Sequence, residues 1–279
     1  MRPGLAWSWL VGAYVVLLTL FLAVPMANML VLSAYQYSPI TIWSPVLTSA
    51  NYAQLLDPYL ATVALRTLRI GATATILCTL IGYPVAYYLA RCSRLALIAG
   101  LFVLLLPMMV SAVVGAFGWI VILGRNGLLN TWLRELGLPR INVLYTDTAV
   151  LIALVHFLLP LMVLPLLAAI ERIPVRLEEA ATNLGTGPFG TFRRVILPLS
   201  RAGLASGALL CFCIAISVIV IPTLLGGRTG RMLGNEIYEQ MVTVSNWPYA
   251  SSLSVALILV VLGVMSVALA AARDRRRTR

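Results

Sequence analysis

The sequence predicts an all-α membrane protein of six transmembrane helices. Three observations predict it. The 279 residues are 61% hydrophobic with a mean hydropathy of +0.97, far above the usage of soluble globular domains. Six apolar runs are each long enough to cross a hydrocarbon core, which takes roughly 20 helical residues. The basic residues, all arginine, fall mostly in short loops between those runs, the pattern of the positive-inside rule.

The runs cover residues 10–32, 70–90, 96–123, 149–170, 202–224 and 252–272. No charged side chain occurs between Arg2 and Asp57. The first run is too long for a cleaved leader and no small-x-small site follows it, so it reads as a span. Pro84, Pro107, Pro160, Pro165 and Pro222 interrupt the later runs. Each frees a backbone carbonyl that neighbours or water must satisfy in lipid, which implies a kinked bundle and suits a gated path. With the N-terminus inside, the cytosolic arginines are Arg2, Arg91, Arg94, Arg172, Arg176, Arg193, Arg194, Arg201, Arg273, Arg275, Arg276, Arg277 and Arg279. Arg66, Arg69, Arg125, Arg134, Arg140, Arg228 and Arg231 then lie outside. That bias places both termini in the cytosol. The outer segment 33–65 is rich in proline and aromatic residues, a composition suited to the membrane interface, and 124–148 holds a short amphipathic piece. No internal repeat, low-complexity tract or soluble domain appears, so residues 1–279 read as one transmembrane domain.

The net charge of +11 is spread over the loops rather than gathered in a nucleic-acid patch. Cys78, Cys92, Cys211 and Cys213 read as structural thiols, since Cys-x-Cys on a helix points its two sulfurs to different faces. A chain without lysine has no phosphate-binding Gly-x4-Gly-Lys-Ser/Thr loop, and neither His-Glu-x2-His nor Gly-x-Ser-x-Gly occurs. No acidic residue lies mid-span, which argues against a proton-driven carrier built on a buried carboxylate. The one histidine, His156, is either a substrate or proton contact or a structural hydrogen bond between helices.

Residues 171–201 are the longest charge-bearing interruption on the inner side, and their pattern is helix, break, helix. Pro174 suits a first helical turn. Leu177, Ala180, Ala181 and Leu184 recur at i, i+3, i+4 and i+7 as one apolar stripe. Glu178 and Glu179 complement the helix dipole in its early turns. Gly185 stands where a helix ends in a left-handed residue. Thr186-Gly187-Pro188 reads as a cap and a new start, Phe189, Phe192, Val195 and Ile196 as a second stripe, and Pro198 as its end. Two short amphipathic helices at a sharp angle fit another protein's surface. Glu178, Glu179, Arg176, Arg193 and Arg194 would supply its charged rim.

The run Glu179-Ala180-Ala181-x3-Gly185-x9-Val195-x-Leu197-Pro198 resembles the EAA loop of permease subunits of binding-protein-dependent ABC importers, with valine in place of isoleucine at 195. The runs LGRNGLLN (123–130), LYTDTAV (144–150), IPTLLGG (221–227) and NWP (246–248) resemble the spermidine/putrescine-type branch. The resemblance implies a type I ABC importer with a MetI-like membrane domain in the bacterial inner membrane. It also implies a second permease subunit to complete the pore, in this family often a different chain, while the sequence leaves a copy of this chain open. Its other partners would be a cytosolic ABC ATPase dimer, a periplasmic substrate-binding protein and the lipid bilayer, with no nucleic acid. The chain would carry no cofactor and be no enzyme, since ATP is bound by the partner subunit. The cargo implied is a polyamine or related organic cation. Leu177, Glu178, Glu179, Ala180, Ala181, Leu184, Gly185 and Pro198 would form the ATPase-coupling loop. For the path, the candidates are Trp119, His156, Pro222, Glu236, Tyr238 and Glu239, acids and aromatics that attract a cation. Alternatively, Glu236 and Glu239 pair with Arg228 or Arg231 at the surface. A secondary carrier or channel working without an ATPase is the alternative function.

Overall fold

The computed structural model describes residues 3–227 and 230–277; Arg2, Arg228 and Arg279, assigned above to the inner and outer loops, lie outside the described residues. Within the helices, side chains are not described for residues 3–10, 13 and 267–277, so those of Arg273, Arg275, Arg276 and Arg277 are outside too. Among the described residues, six helical stretches are long and apolar enough to cross a membrane: Tyr14–Ser33, Pro58–Arg91, Ala112–Glu135, Asp147–Glu171, Pro188–Ser217 and Trp247–Ser266. Arg94–Met109 is a shorter apolar helix. The chain gathers into two compact units, one from residues up to Ala61 with Glu236–Val264, the other from Thr62–Asn235 with Met265 onward.

The first unit holds α1 (Pro3–Ser33), a hairpin of β1 (Tyr35–Ser38) and β2 (Ile42–Leu47), the short α2 (Ala50–Gln54) and most of α13 (Trp247–Arg277). The strands pair antiparallel, with Gln36 opposite Ser44 and Tyr37 opposite Trp43. Buried Asn51 fastens this segment to the end of α1 by donating to the carbonyls of Ser33 (2.9 Å) and Tyr35 (2.8 Å). The segment read as interfacial is therefore a folded hairpin.

Helix α3 (Pro58–Arg91), which belongs to the second unit from Thr62 onward, starts twelve residues before the predicted span. Asp57 and Pro58 explain the early start. The Asp57 carboxylate accepts the Tyr59 N–H at 2.7 Å, and proline at the first helical position forfeits a donor that would be orphaned anyway. Arg66 and Arg69 thus lie within the helix, where both pair with Asp147 at the head of α7 (Asp147–Glu171). Small residues on one face of α3 bring it close to α7 and α10 (Leu197–Ser217). A β-carbon at Gly82 would stand 3.0 Å from Met162 Cγ, and one at Gly207 of α10 would stand 3.1 Å from the Met162 carbonyl. Buried Cys78 and Cys211 donate to successive turns of α7, at Val155 O (3.8 Å) and Leu158 O (3.5 Å). Helix α7 is the buried axis of this unit, and it keeps its helix through Pro160 and Pro165.

Two predicted spans are broken instead of continuous. Residues 96–123 form α4 (Arg94–Met109) and α5 (Ala112–Leu123), separated where Val110 and Ser111 both turn to ψ 137°. Pro107 removes one amide from the last turn of α4, and the extended pair ends it. The fifth span breaks at Val218–Ile219, between α10 and α11 (Val220–Leu225). Pro222 accounts for the position, because its missing N–H frees the carbonyl of Val218, four residues earlier. Buried Asn235 secures the break by donating to Ile219 O at 3.0 Å and to Thr223.

Because Gly207 packs on the backbone of Met162, Gly207→Leu should overpack the α7–α10 contact by about 1–3 kcal/mol. Thermal unfolding of the purified protein in detergent checks this, with a lowered Tm expected.

Candidate functional site

The predicted coupling loop begins with α8 (Val175–Asn183), which follows α7 after a three-residue link and has no fully buried residue. Its C-terminus ends as the glycine predicts. Gly185 sits at φ +80°, its N–H donates to Thr182 O at 2.9 Å, and Thr186 N–H donates to Ala181 O at 3.1 Å. That pair of bonds satisfies the last carbonyls and turns the chain sharply. Leu177 and Leu184 project outward, Leu184 at 85% exposure, with Val175 and Phe189 beside them in sequence also exposed. Glu179 and Ala180 are exposed and Ala181 is half-buried. The face read as an apolar stripe is therefore uncovered within this chain.

Glu178 departs from its expected place on the charged rim. Its carboxylate turns inward to the end of α3, where Oε1 accepts from Arg91 Nη2 (2.6 Å) and Nε (3.0 Å), and Oε2 accepts from the Tyr87 hydroxyl (2.7 Å). Arg91 Nη2 also donates to Ile173 O at 3.0 Å, in the link between α7 and α8. Both charged side chains are mostly withdrawn from solvent, 19% and 14% exposed. Forked, charge-assisted hydrogen bonds of this kind are roughly twice as strong as neutral ones. Position on the sequence favoured the rim, but a helical turn puts Glu178 on the side that meets α3, one residue from outward-facing Glu179.

Pro198 does not close a second short helix. From Pro188 the chain runs as α9 (Pro188–Thr191), a π-helical turn (Phe192–Ile196) and α10, one helical rod to Ser217. The start at Pro188 after Gly187 is as predicted. In the π turn Leu197 N–H reaches back to Phe192 O, and the widened turn lets the proline ring pass without breaking the helix. Tyr83 of α3 anchors this rod, by an edge-to-face contact with Phe192 (centroids 5.0 Å apart) and a hydrogen bond to buried Ser200.

Of the candidate path residues, the structure brings Trp119 and His156 together. The Trp119 N–H donates to His156 Nδ1 at 3.4 Å, and the rings meet edge to face at 5.5 Å. They line a largely apolar cavity of about 440 Å³ beside the α4–α5 break, with Pro107, Val110, Ser111 and Ile221 among its walls. Pro222 is buried next to Ile221. Glu236, Tyr238 and Glu239 belong to the other unit, on α12 (Leu233–Tyr238) and the π turn after it. Tyr238 is exposed, whereas Glu236 is only 6% exposed. Glu236 accepts from Gln240 Nε2 (3.1 Å) and Tyr59 OH (3.4 Å), with Tyr249 and Asp57 close enough to interact electrostatically in the same cluster.

Residues 79–279 match the family described as the binding-protein-dependent transport system inner membrane component. The chain belongs to this family. It is 35% identical over 256 residues to the spermidine/putrescine transport system permease protein PotB of Haemophilus influenzae, covering 91% of this chain and 87% of that one. PotB of Escherichia coli K12 is 36% identical over 222 residues, covering 79% and 80%. The inner membrane ABC transporter permease protein YdcU of the same organism is 32% identical over 232 residues, covering 78% and 74%. A crystal structure of a bacterial alginate ABC transporter with its alginate pentasaccharide-bound periplasmic protein shares the fold at TM-score 0.77 and 18% identity, covering 96% and 93%. The MetNI methionine transporter in an inward-facing form gives TM-score 0.57 at 17% identity, covering 78% and 99%. The chain is thus a MetI-like, multi-pass inner-membrane permease of the ABC importer class, a transport component and not an enzyme.

The permease holds site residues that sequence reasoning passed over. Tyr87 lies inside the second predicted span and Arg91 reads as a loop charge, yet together they fix α8 in place. Their spacing of four on one helix face was the available signal. Asn130 is another: buried, it donates to Gly124 O and Ile141 O (each 3.0 Å) and accepts from Ile141 N–H (2.9 Å), which explains the final Asn of LGRNGLLN.

Arg91→Gln leaves Glu178 without its forked partner and should loosen α8 by about 1.5–3 kcal/mol. Limited trypsin digestion at Arg172 and Arg176 checks this, with faster cleavage expected than in the parent protein.

Proposed function

We propose that this permease is half of the pore of an ATP-driven importer for a polyamine or related organic cation. A second permease subunit, a different chain, completes the pore, two cytosolic ATPase subunits drive it, and a periplasmic binding protein delivers the cargo. Both termini face the cytosol, the whole chain acts as one transmembrane domain, and residues 171–201 meet the ATPase.

One observation carries the coupling reading. A short helix of EAA sequence stands with Leu177 and Leu184 uncovered, while Glu178, about 100° round the helix from Leu177, ties its flank to span two. Seating each leucine in a groove contributes roughly 1.5–3 kcal/mol before association costs. Ala180 and Ala181 permit close approach, Glu179 orients the contact, and Gly185 with its left-handed backbone sets the exit angle. Because α8 is held by α3 and continues α7, a displacement of α8 moves both helices, and the breaks at Val110–Ser111 and at extended Val218 are the compliant points. Pro198 belongs to this loop as the residue that demands the π turn.

The polyamine reading rests on the relatives and is supported by the buried Glu236 with Tyr59 and Tyr249 beside it, an acid among aromatic rings suited to an ammonium group. Trp119 and His156 at the cavity, Pro222 behind it, and Tyr238 and Glu239 near Glu236 are the remaining path assignments.

Reconstituted with its partners in proteoliposomes, the transporter should accumulate labelled spermidine only with ATP and loaded binding protein. Glu179→Lys should lower that uptake at least about tenfold, the effect of losing about 1.4 kcal/mol at the contact, while insertion is unchanged and ATP hydrolysis continues without transport. Undiminished uptake in Glu179→Lys overturns the coupling assignment.

A further inference from the structure

A second surface stands at the far end of the same unit. Helix α6 (Leu128–Glu135) follows α5 after the linker 124–127, which the Gly127 N–H closes on Gly124 O at 2.9 Å while Asn130 donates to the same carbonyl at 3.0 Å. Asn130 also binds Ile141, six residues before the head of α7. A tight turn at one end and six residues at the other, spanning at most about 20 Å, confine α6 to the membrane surface next to the start of α7. The coupling loop leaves the other end of α7, a helix of 25 residues and so about 37 Å long. The two therefore face opposite sides of the membrane.

Helix α6 is amphipathic. Leu128, Trp132 and Leu136 follow at i, i+4 and i+8 and are all exposed, a stripe that suits the lipid interface with tryptophan at its centre. Arg134 is two residues from Trp132, about 200° round the helix and so on its opposite face. There it joins Arg125, Arg140, Asn126, Asn130 and Thr131 around a hollow of about 130 Å³. Three guanidinium groups line the hollow and no carboxylate does. Arg66 and Arg69, near the same end, are already paired with Asp147.

We propose that Arg125, Arg134 and Arg140 form a socket for a carboxylate-bearing surface patch of the substrate-delivering binding protein. The apolar stripe lies on the membrane, so the arginines on the other face are presented to the aqueous side, where a soluble protein arrives. Guanidinium groups pair bidentately with carboxylates, and rim charges of this kind set encounter rate and register. A lipid phosphate is the competing ligand, but it would sit on the striped side of α6. The assignment of this face as the outer one rests on the coupling loop being cytosolic.

The test uses the assembled transporter in lipid nanodiscs and its own binding protein, purified with spermidine bound. The wild type should bind it with an affinity that falls steeply as salt rises. The triple variant Arg125→Gln, Arg134→Gln, Arg140→Gln should bind about tenfold more weakly at low salt, with the salt dependence flattened. The triple lysine variant, which keeps charge but not the planar fork, should recover part of the loss. Retention of the ATPase and basal ATP hydrolysis should be the same in all three, since they belong to α8. Unchanged affinity and salt slope in the glutamine variant overturn the socket. So does unchanged binding with selective loss of co-purified anionic phospholipid, which assigns the arginines to lipid. Failure of the ATPase to co-purify with the wild type instead breaks the coupling-loop reading.

Discussion

Arg91 grips two things at once: the carboxylate of Glu178 on α8 and the carbonyl of Ile173 in the link from α7. Without that grip α8 would hang on one end of α7 by a three-residue link ending in Pro174, free to swing. An eight- or nine-residue helix is marginal in water even with good helix formers, so α8 depends on tertiary contacts for its definition. Its outward side offers none within the chain. The inward side therefore supplies them through one fork of charge-assisted hydrogen bonds, mostly screened from water. That arrangement leaves an exposed apolar face on a fixed mount.

The mount extends the length of the unit. At one end of α3, Arg91 and Tyr87 hold Glu178, and Tyr83 holds Ser200 and Phe192 at the base of α10. At the other, Arg66 and Arg69 hold Asp147 of α7. Between them, glycine and cysteine positions let the helices touch. The two broken spans contrast with this. Each is interrupted in the middle of an apolar stretch, at Val110–Ser111 and at extended Val218, and the cavity shared by Trp119 and His156 lies beside the first. Close-packed helices resist deformation and unwound ones yield, so movement is directed to the breaks.

Much of this was legible in the residues. The six spans follow from hydropathy and length, because lipid leaves few alternatives for the backbone. Gly185 was legible because a left-handed helix end has a strong residue preference. The failures share a cause. Pro198 and Pro107 are both helix breakers by rule, yet one is absorbed by a π turn and the other is followed by a break at Val110–Ser111. What decides is whether neighbours satisfy the freed carbonyls, and sequence alone does not list those neighbours. Glu178 and Glu179 are likewise equivalent in composition and adjacent in sequence. Only the position of Arg91, 87 residues earlier, distinguishes the inward carboxylate from the outward one.

On the proposed function, the uncovered face of α8 is the seat of the ATPase. A photo-crosslinking amino acid at Leu184, the more exposed leucine of that stripe, tests this in the assembled transporter. After illumination, mass spectrometry of the adduct should return a peptide of the ATPase subunit, from nucleotide-free and ATP-bound transporter alike. Adducts confined to lipid, to the binding protein or to the permease chains themselves would rule that seat out.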